Sequence, residues 1–96
     1  MGVVITATTK LYSKDRVTIK AGSVVEIEVS DDYFVDSRYA QFFLRKGFAV
    51  KGLLQVVHTP FPNNWYGTPT VVVHNVGVSD FELLAGEELG EMWEFH

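Results

Sequence analysis

The sequence predicts an all-β domain. Turn signals recur at short intervals, the apolar runs between them are rich in β-branched and aromatic residues, and one run alternates strictly. Ser13-Lys14-Asp15, Ala21-Gly22, Ser30-Asp31-Asp32, Pro60 to Asn64 and Ala85-Gly86 punctuate the 96-residue chain. Val24 to Val29 sets Val25, Ile27 and Val29 on one face against Glu26 and Glu28 on the other. That period of two marks a strand with one buried and one wet face.

Each element then follows in order. Val3 to Leu11 reads as a first strand, Val17 to Lys20 as a second and Val24 to Val29 as a third, with Tyr33-Phe34-Val35 after the next turn. Tyr39 to Lys46 is the helical candidate, because Tyr39, Phe42, Phe43 and Lys46 fall at helical spacings and Gly47 after Arg45-Lys46 has the chemistry of a helix end. A single short turn of helix is expected there, with strand as the alternative. Gly52 opens a strand over Leu53 to Thr59. Pro60-Phe61-Pro62-Asn63-Asn64 reads as a loop, since proline removes a backbone donor and asparagine tolerates unusual dihedrals. Thr70 to His74 is nearly continuously apolar and belongs at a sheet centre, and Phe81 to Leu84 and Leu89 to Phe95 close the domain. No boundary, repeat or low-complexity linker interrupts the chain, so residues 1–96 form one domain.

Composition narrows the class. Hydrophobic residues make up 47% and aromatics 14%, too rich for disorder. No run of about 18 apolar residues exists to span a bilayer, so no membrane association is expected. The absence of cysteine removes disulfides and thiolate metal sites, which favours a cytoplasmic setting. A domain of this size buries only about 60 to 65% of its unfolded surface, and association would stabilise it.

Charge is uneven. Residues 1–51 carry eight Lys/Arg against six Asp/Glu, whereas residues 52–96 carry six acids and no Lys or Arg, for a net charge of -4. The bases form no run longer than two and the second half repels phosphate, so general nucleic-acid binding is not expected. Glu82, Glu87, Glu88, Glu91 and Glu94 read as a solvated acidic face or, more sharply, as a patch for a basic partner.

Several blocks, taken together, carry a resemblance. They are Val17 to Val24, Asp32 to Val35, Leu44-Arg45-Lys46-Gly47-Phe48-Ala49-Val50, Trp65-Tyr66-Gly67 running into Thr70 to Asn75, and Val76 to Leu89 with its Ala85-Gly86 turn. In this order the chain resembles, over residues 17 to 96, the trimeric dUTPase and dCTP deaminase superfamily. The resemblance implies a small β-barrel or jelly roll with at most one short helix, and a homotrimer.

Carried over position by position, the family's chemistry is not matched. The second motif places an arginine and a serine before the short helix to hold phosphate oxygens. With Gly47 aligned, Ala40 and Gln41 fall there. The third motif's water-activating aspartate, five residues before the glycine matching Gly67, falls on Pro62. The deaminase glutamate falls on Val72. Between Ser37 and Ser79 the sequence contains no Asp or Glu, so no nearby frame supplies a carboxylate base. The first motif's aspartate has no counterpart in Met1 to Leu11, and the glutamine of the closing motif is replaced by Glu91. His58 and His74 alternate with valines and read as strand residues rather than bases. With His96 they lie too far apart to form a ligand motif, so no metal site and no cofactor are expected.

Three readings of function follow. The first is a non-catalytic binding or assembly protein on a dUTPase-like trimer scaffold, such as a phage or viral structural or protein-binding factor, located in host cytoplasm or virion. The second is a nucleotide-binding protein whose inter-subunit pockets use His58, Asn63, Trp65, Tyr66 and Arg45. The third is an active hydrolase of the family type. The rings Phe61, Trp65 and Tyr66 beside two prolines suit core packing, subunit contact or stacking on a ligand. Phe61, Leu89, Trp93 and Phe95 are the interface candidates, with Leu89, Trp93 and Phe95 on one side of the last strand.

Overall fold

A computed structural model describes residues 4–96. Its strands are β1 (Ile5–Tyr12), β2 (Val17–Ile19), β3 (Val24–Glu28), β4 (Tyr33–Phe34), β5 (Tyr39–Leu44), β6 (Leu53–Gln55), β7 (Phe61–Pro62), β8 (Tyr66–Gly67), β9 (Thr70–Asn75), β10 (Phe81–Leu83) and β11 (Glu88–Phe95). One short helix, α1 (Lys46–Val50), lies between β5 and β6. The chain is all-β, as the alternation and turn spacing predict. The expected start of the first strand at Val3 lies outside the described residues.

The strands form a four-stranded sheet in the order β1-β11-β5-β7, a three-stranded sheet β3-β9-β6, and the ribbons β10-β2 and β4-β8. Every pairing is antiparallel. Both larger sheets contribute to one core, which includes Leu11, Ala40, Phe42, Leu89 and Met92 from the first and Ile27, Leu53, Val71 and Val73 from the second. The apolar run Thr70 to His74 occupies the centre of its sheet because β9 is covered on both edges, by β3 and β6. β3 buries Ile27 and exposes Glu26 and Glu28, as its alternation requires.

Several expectations are corrected. Tyr39 to Leu44 is strand, not helix: Ala40 and Phe42 are buried while Tyr39, Gln41 and Phe43 face outward, a period of two. The helix comes one step later, and Gly47 lies inside it rather than at its end. Gly52 closes the turn instead, at φ 91°, where a Cβ would stand 3.0 Å from Gly77 N. The strand expected over Leu53 to Thr59 ends at Gln55, although Val56 N still donates to Val72 O at 3.0 Å. Phe61-Pro62, expected within a loop, is a short edge strand on β5, a position proline tolerates.

A further correction concerns β11. Leu11 pairs with Gly90 and Tyr12 with Glu88, leaving Leu89 as the extra residue of a bulge. The bulge shifts the inside-outside phase, so Leu89 and Met92 both point into the core at 0% exposure. Leu89 is therefore a core residue and does not share a side with Trp93 and Phe95. Those two lie on the outer face, where Phe95 stacks on Tyr39 at 5.0 Å and Trp93 meets Phe43 at 4.9 Å. Gly90 is required by close approach, since a Cβ there would sit 2.1 Å from Phe43 O.

Candidate functional site

The segment that carries Phe61, Trp65 and Tyr66 runs between β5 and β4. β7 pairs with β5 on one side, β8 pairs with β4 on the other, and Asn64 takes a left-handed turn between them at φ 67°. Asparagine adopts that conformation more readily than other non-glycine residues. Phe61 and Trp65 meet edge to face at 4.7 Å and pack against the core cluster. They wall an open groove of about 390 Å³ with Val57, Pro60, Thr68 and Val72. A smaller pocket of about 40 Å³ adjoins it, sharing Val57, Phe61 and Val72 and bordered also by Gln41, Phe42 and Gln55.

Gln55 organises this pocket. Its Oε1 accepts from Leu44 N at 3.0 Å, and its Nε2 donates to Phe42 O at 3.1 Å and Val57 O at 3.0 Å. Gln41 Nε2 donates to His58 O at 2.8 Å and fixes the course of the chain there.

The structure divides the sequence-derived ligand residues among several places. His58 and Arg45 line a second open groove of about 440 Å³, with Phe43, Leu54 and Gln55. The Arg45 guanidinium lies over the Phe48 ring at 5.0 Å. Asn63 is directed elsewhere, donating from Nδ2 to Ser37 O at 2.6 Å. Tyr66 is exposed and donates to Asp32 Oδ2 at 3.1 Å, while Thr68 donates to Asp32 Oδ1. That hydrogen bond, then the charge of Asp32, push the Tyr66 phenol up. Asp32 thus brings a carboxylate beside the Trp65-Tyr66-Gly67 block through space, from a part of the chain that spacing alone does not connect to it.

The helix position changes one carried-over match. Ala40 is fully buried and Gln41 holds His58 O, so neither presents a phosphate ligand. The residue directly before the helix is Arg45, followed by Lys46 as its first residue. Pro62 stays where the family's aspartate would fall, on the exposed edge strand, and Val72 lies half-buried in β9. Among the described residues no three His, Asp or Glu side chains come together as a metal-binding group.

The acidic C-terminal set is not one patch. Arg16 and Thr18 donate to Glu82, Lys10 lies 3.7 Å from Glu88, and Glu87 accepts from Leu84 N at 3.0 Å. Glu94 turns inward, where Tyr33, Ser37 and the backbone of Asp36 surround it. Sequence reasoning placed it on a solvated face. Its shared parity with Met92 was the available signal.

The arrangement of the two sheets, the helix after β5 and the β7-β8 turn define a dUTPase-like fold. The solved structures agree. A mutant dUTPase from phage phi11 of S. aureus, described with a coordinated structural Mg(II) ion, superposes at a TM-score of 0.78, with 11% identity over 91% of this chain and 74% of that one. A mutant dUTPase of Staphylococcus bacteriophage 80alpha with dUpNHpp gives 0.78 and 11% identity, covering 91% of this chain and 70% of that one. The EIAV dUTPase gives 0.76 and 18% identity over 94% of this chain and 74% of that one. No protein-family profile and no curated protein matches the sequence.

Proposed function

We propose that this chain is a non-catalytic binding and assembly protein that uses the dUTPase-like scaffold as a homotrimeric platform. One observation carries the reading: the groove walled by Phe61 and Trp65 is lined by apolar and hydroxyl side chains, with no acid among them. Trp65 sits edge-on to Phe61, both are packed on the core, and Pro62 stands where a water-activating aspartate would be needed. A hydrolase of this type requires a carboxylate within reach of its water; residues 38 to 78 contain none, and Asp32, which the fold brings beside this block, is engaged by Tyr66 and Thr68. The phage 80alpha dUTPase, described as controlling transfer of virulence genes by a G protein-like mechanism, offers a precedent for this scaffold in a regulatory role. A phage or viral setting for this chain accords with that similarity.

A second reading is favoured by Arg45. Its place directly before the helix, in one groove with His58, is suited to holding a phosphate. In this reading the protein binds a nucleotide without converting it. Thermal shift against dUTP, dCTP, dUMP and dUpNHpp, each with and without magnesium, separates the two. The assembly reading predicts an unchanged melting temperature throughout. A rise that disappears in Arg45→Ala overturns it in favour of nucleotide binding.

A further inference from the structure

The inward carboxylate of Glu94 ties β11 to a segment distant in sequence, β4 and the loop that follows it. Oε2 accepts from Tyr33 Oη at 2.7 Å, and Oε1 accepts from Asp36 N and Ser37 N at 3.1 Å each and from Ser37 Oγ at 2.9 Å. Among the described residues no Lys or Arg forms an ion pair with it. Its charge is thus compensated by four neutral donors. The loop from Val35 to Arg38 that supplies three of them also holds the β7-β8 turn. Asn63 Nδ2 donates to Ser37 O at 2.6 Å, Asn64 N to Val35 O at 2.9 Å, and Val35 N to Trp65 O at 2.9 Å. On its other side the loop is anchored by Arg38 N on Phe95 O at 3.1 Å. A continuous hydrogen-bonded path therefore runs from the last strand, through the loop, to the turn that carries Trp65.

We propose that Glu94 is a latch: its ionised carboxylate fastens the 35–38 loop to β11 and, through that loop, holds the Trp65 turn closed, so that neutralising this one group releases the turn. A carboxylate bound to several donors gains more from each than a neutral acceptor does. Once protonated, it loses acceptor capacity and must itself donate. The groups facing it are Tyr33 from β4, Asp36 from the loop and His96 after β11, with uncharged Thr6 from β1. Asp36 brings a like charge, and His96 the opposite one when protonated.

The direction of titration agrees with this geometry. Burial disfavours the Glu94 charge, but the bonds from Tyr33, Ser37 and Asp36 outweigh it and hold the carboxyl below the usual carboxylate range. Burial, the bond to Glu94 and its charge push the Tyr33 phenol up, so it remains a donor. The latch is closed above the ordinary carboxylate range and opens as pH falls through the depressed value.

Amide hydrogen exchange of the full chain, read by NMR and corrected for intrinsic pH dependence, tests the device. In Glu94→Gln at neutral pH, the Val35 and Asn64 amides are expected to exchange about ten-fold faster or more, the effect of roughly one lost charge-assisted bond. The Val73 amide in β9 is expected to keep its protection. The unaltered protein should reproduce the same pattern in acid. Tyr33→Phe removes a single donor and should loosen Asn64 to a smaller degree, which keeps the test decisive if Glu94→Gln does not fold. Unchanged Asn64 protection in the variant that folds overturns the proposal, as does uniform loosening that includes Val73.

Discussion

Asn75 shows how a residue that belongs to a recognisable motif can be structural. It is 1% exposed, donates from Nδ2 to Ile19 O and Ser79 O at 2.9 Å each, and accepts from Gly77 N at 3.0 Å. These bonds join β9 to the end of β2 and to the turn before β10. Leaving buried polar groups unpaired costs about 1–3 kcal/mol each. Asn75→Ala is therefore expected to lower stability by about 3 kcal/mol in urea denaturation. Its place in the motif was readable from the sequence, but its partners were not, because they lie elsewhere in the chain. Glu94 was hidden for a different reason: the bulge at Leu89 fixes which parity of β11 points inward, and bulges leave little trace in composition. Acid should weaken the fold through two residues. Arg16 and Thr18 hold the Glu82 carboxyl below its usual range, and the donors around Glu94 do the same there. A depressed carboxyl stabilises the fold above its unfolded value and loses that contribution as pH falls through its folded one. The urea midpoint should accordingly drop below the ordinary carboxylate range, and Glu94→Gln should flatten that drop.

At the scale of the element, the four-stranded sheet depends on a near contact between β11 and β5. A Cβ on Gly90 would meet Phe43 O at 2.1 Å, Phe42 Cζ at 2.9 Å and Arg45 N at 3.0 Å. Two of these are backbone atoms of the facing chain, so relief requires the strands to part. Gly90→Ala is expected to cost about 1–3 kcal/mol or more, with faster amide exchange along β5. Gly22→Ala meets no atom within 4 Å, so its loss should be limited to the strain of a positive φ and should leave β5 exchange unchanged. The helix is the element the sequence misplaces. Phe42 and Phe43 are adjacent, so one ring always falls at a helical spacing from its neighbours, and Gly47 resembles a terminator. The buried pair Ala40 and Phe42 shows a period of two, which six residues express only weakly. By contrast β3, which alternates apolar with acidic residues, and β9, a nearly continuous apolar run, are legible without any competing helical spacing.

The whole molecule extends 42 × 27 × 17 Å. Its four-stranded sheet carries Tyr39, Phe43, Trp93 and Phe95 on the outside, with Phe43 at 44% and Ile5 of the neighbouring β1 at 46% exposure. Such a cluster on the surface of a small domain is the sort of patch that marks an interaction face. In the proposed homotrimer this face is buried. Light scattering should give three times the chain mass, and Trp93→Glu should reduce it to a single chain while circular dichroism stays β-rich. The same mass in both proteins would place the assembly face elsewhere. The fold class was legible because turn spacing and alternation report the backbone directly. The grooves were not, since they arise where Arg45 and His58, or Phe61 and Trp65, are brought together by strand pairings that no local pattern records. The central claim is that the dUTPase-like scaffold is retained without its hydrolytic chemistry. It is tested most directly by incubating the purified protein with dUTP and magnesium and following dUMP and pyrophosphate. Release at the rate of a protein-free control is predicted, and magnesium-dependent release above that control would contradict the claim.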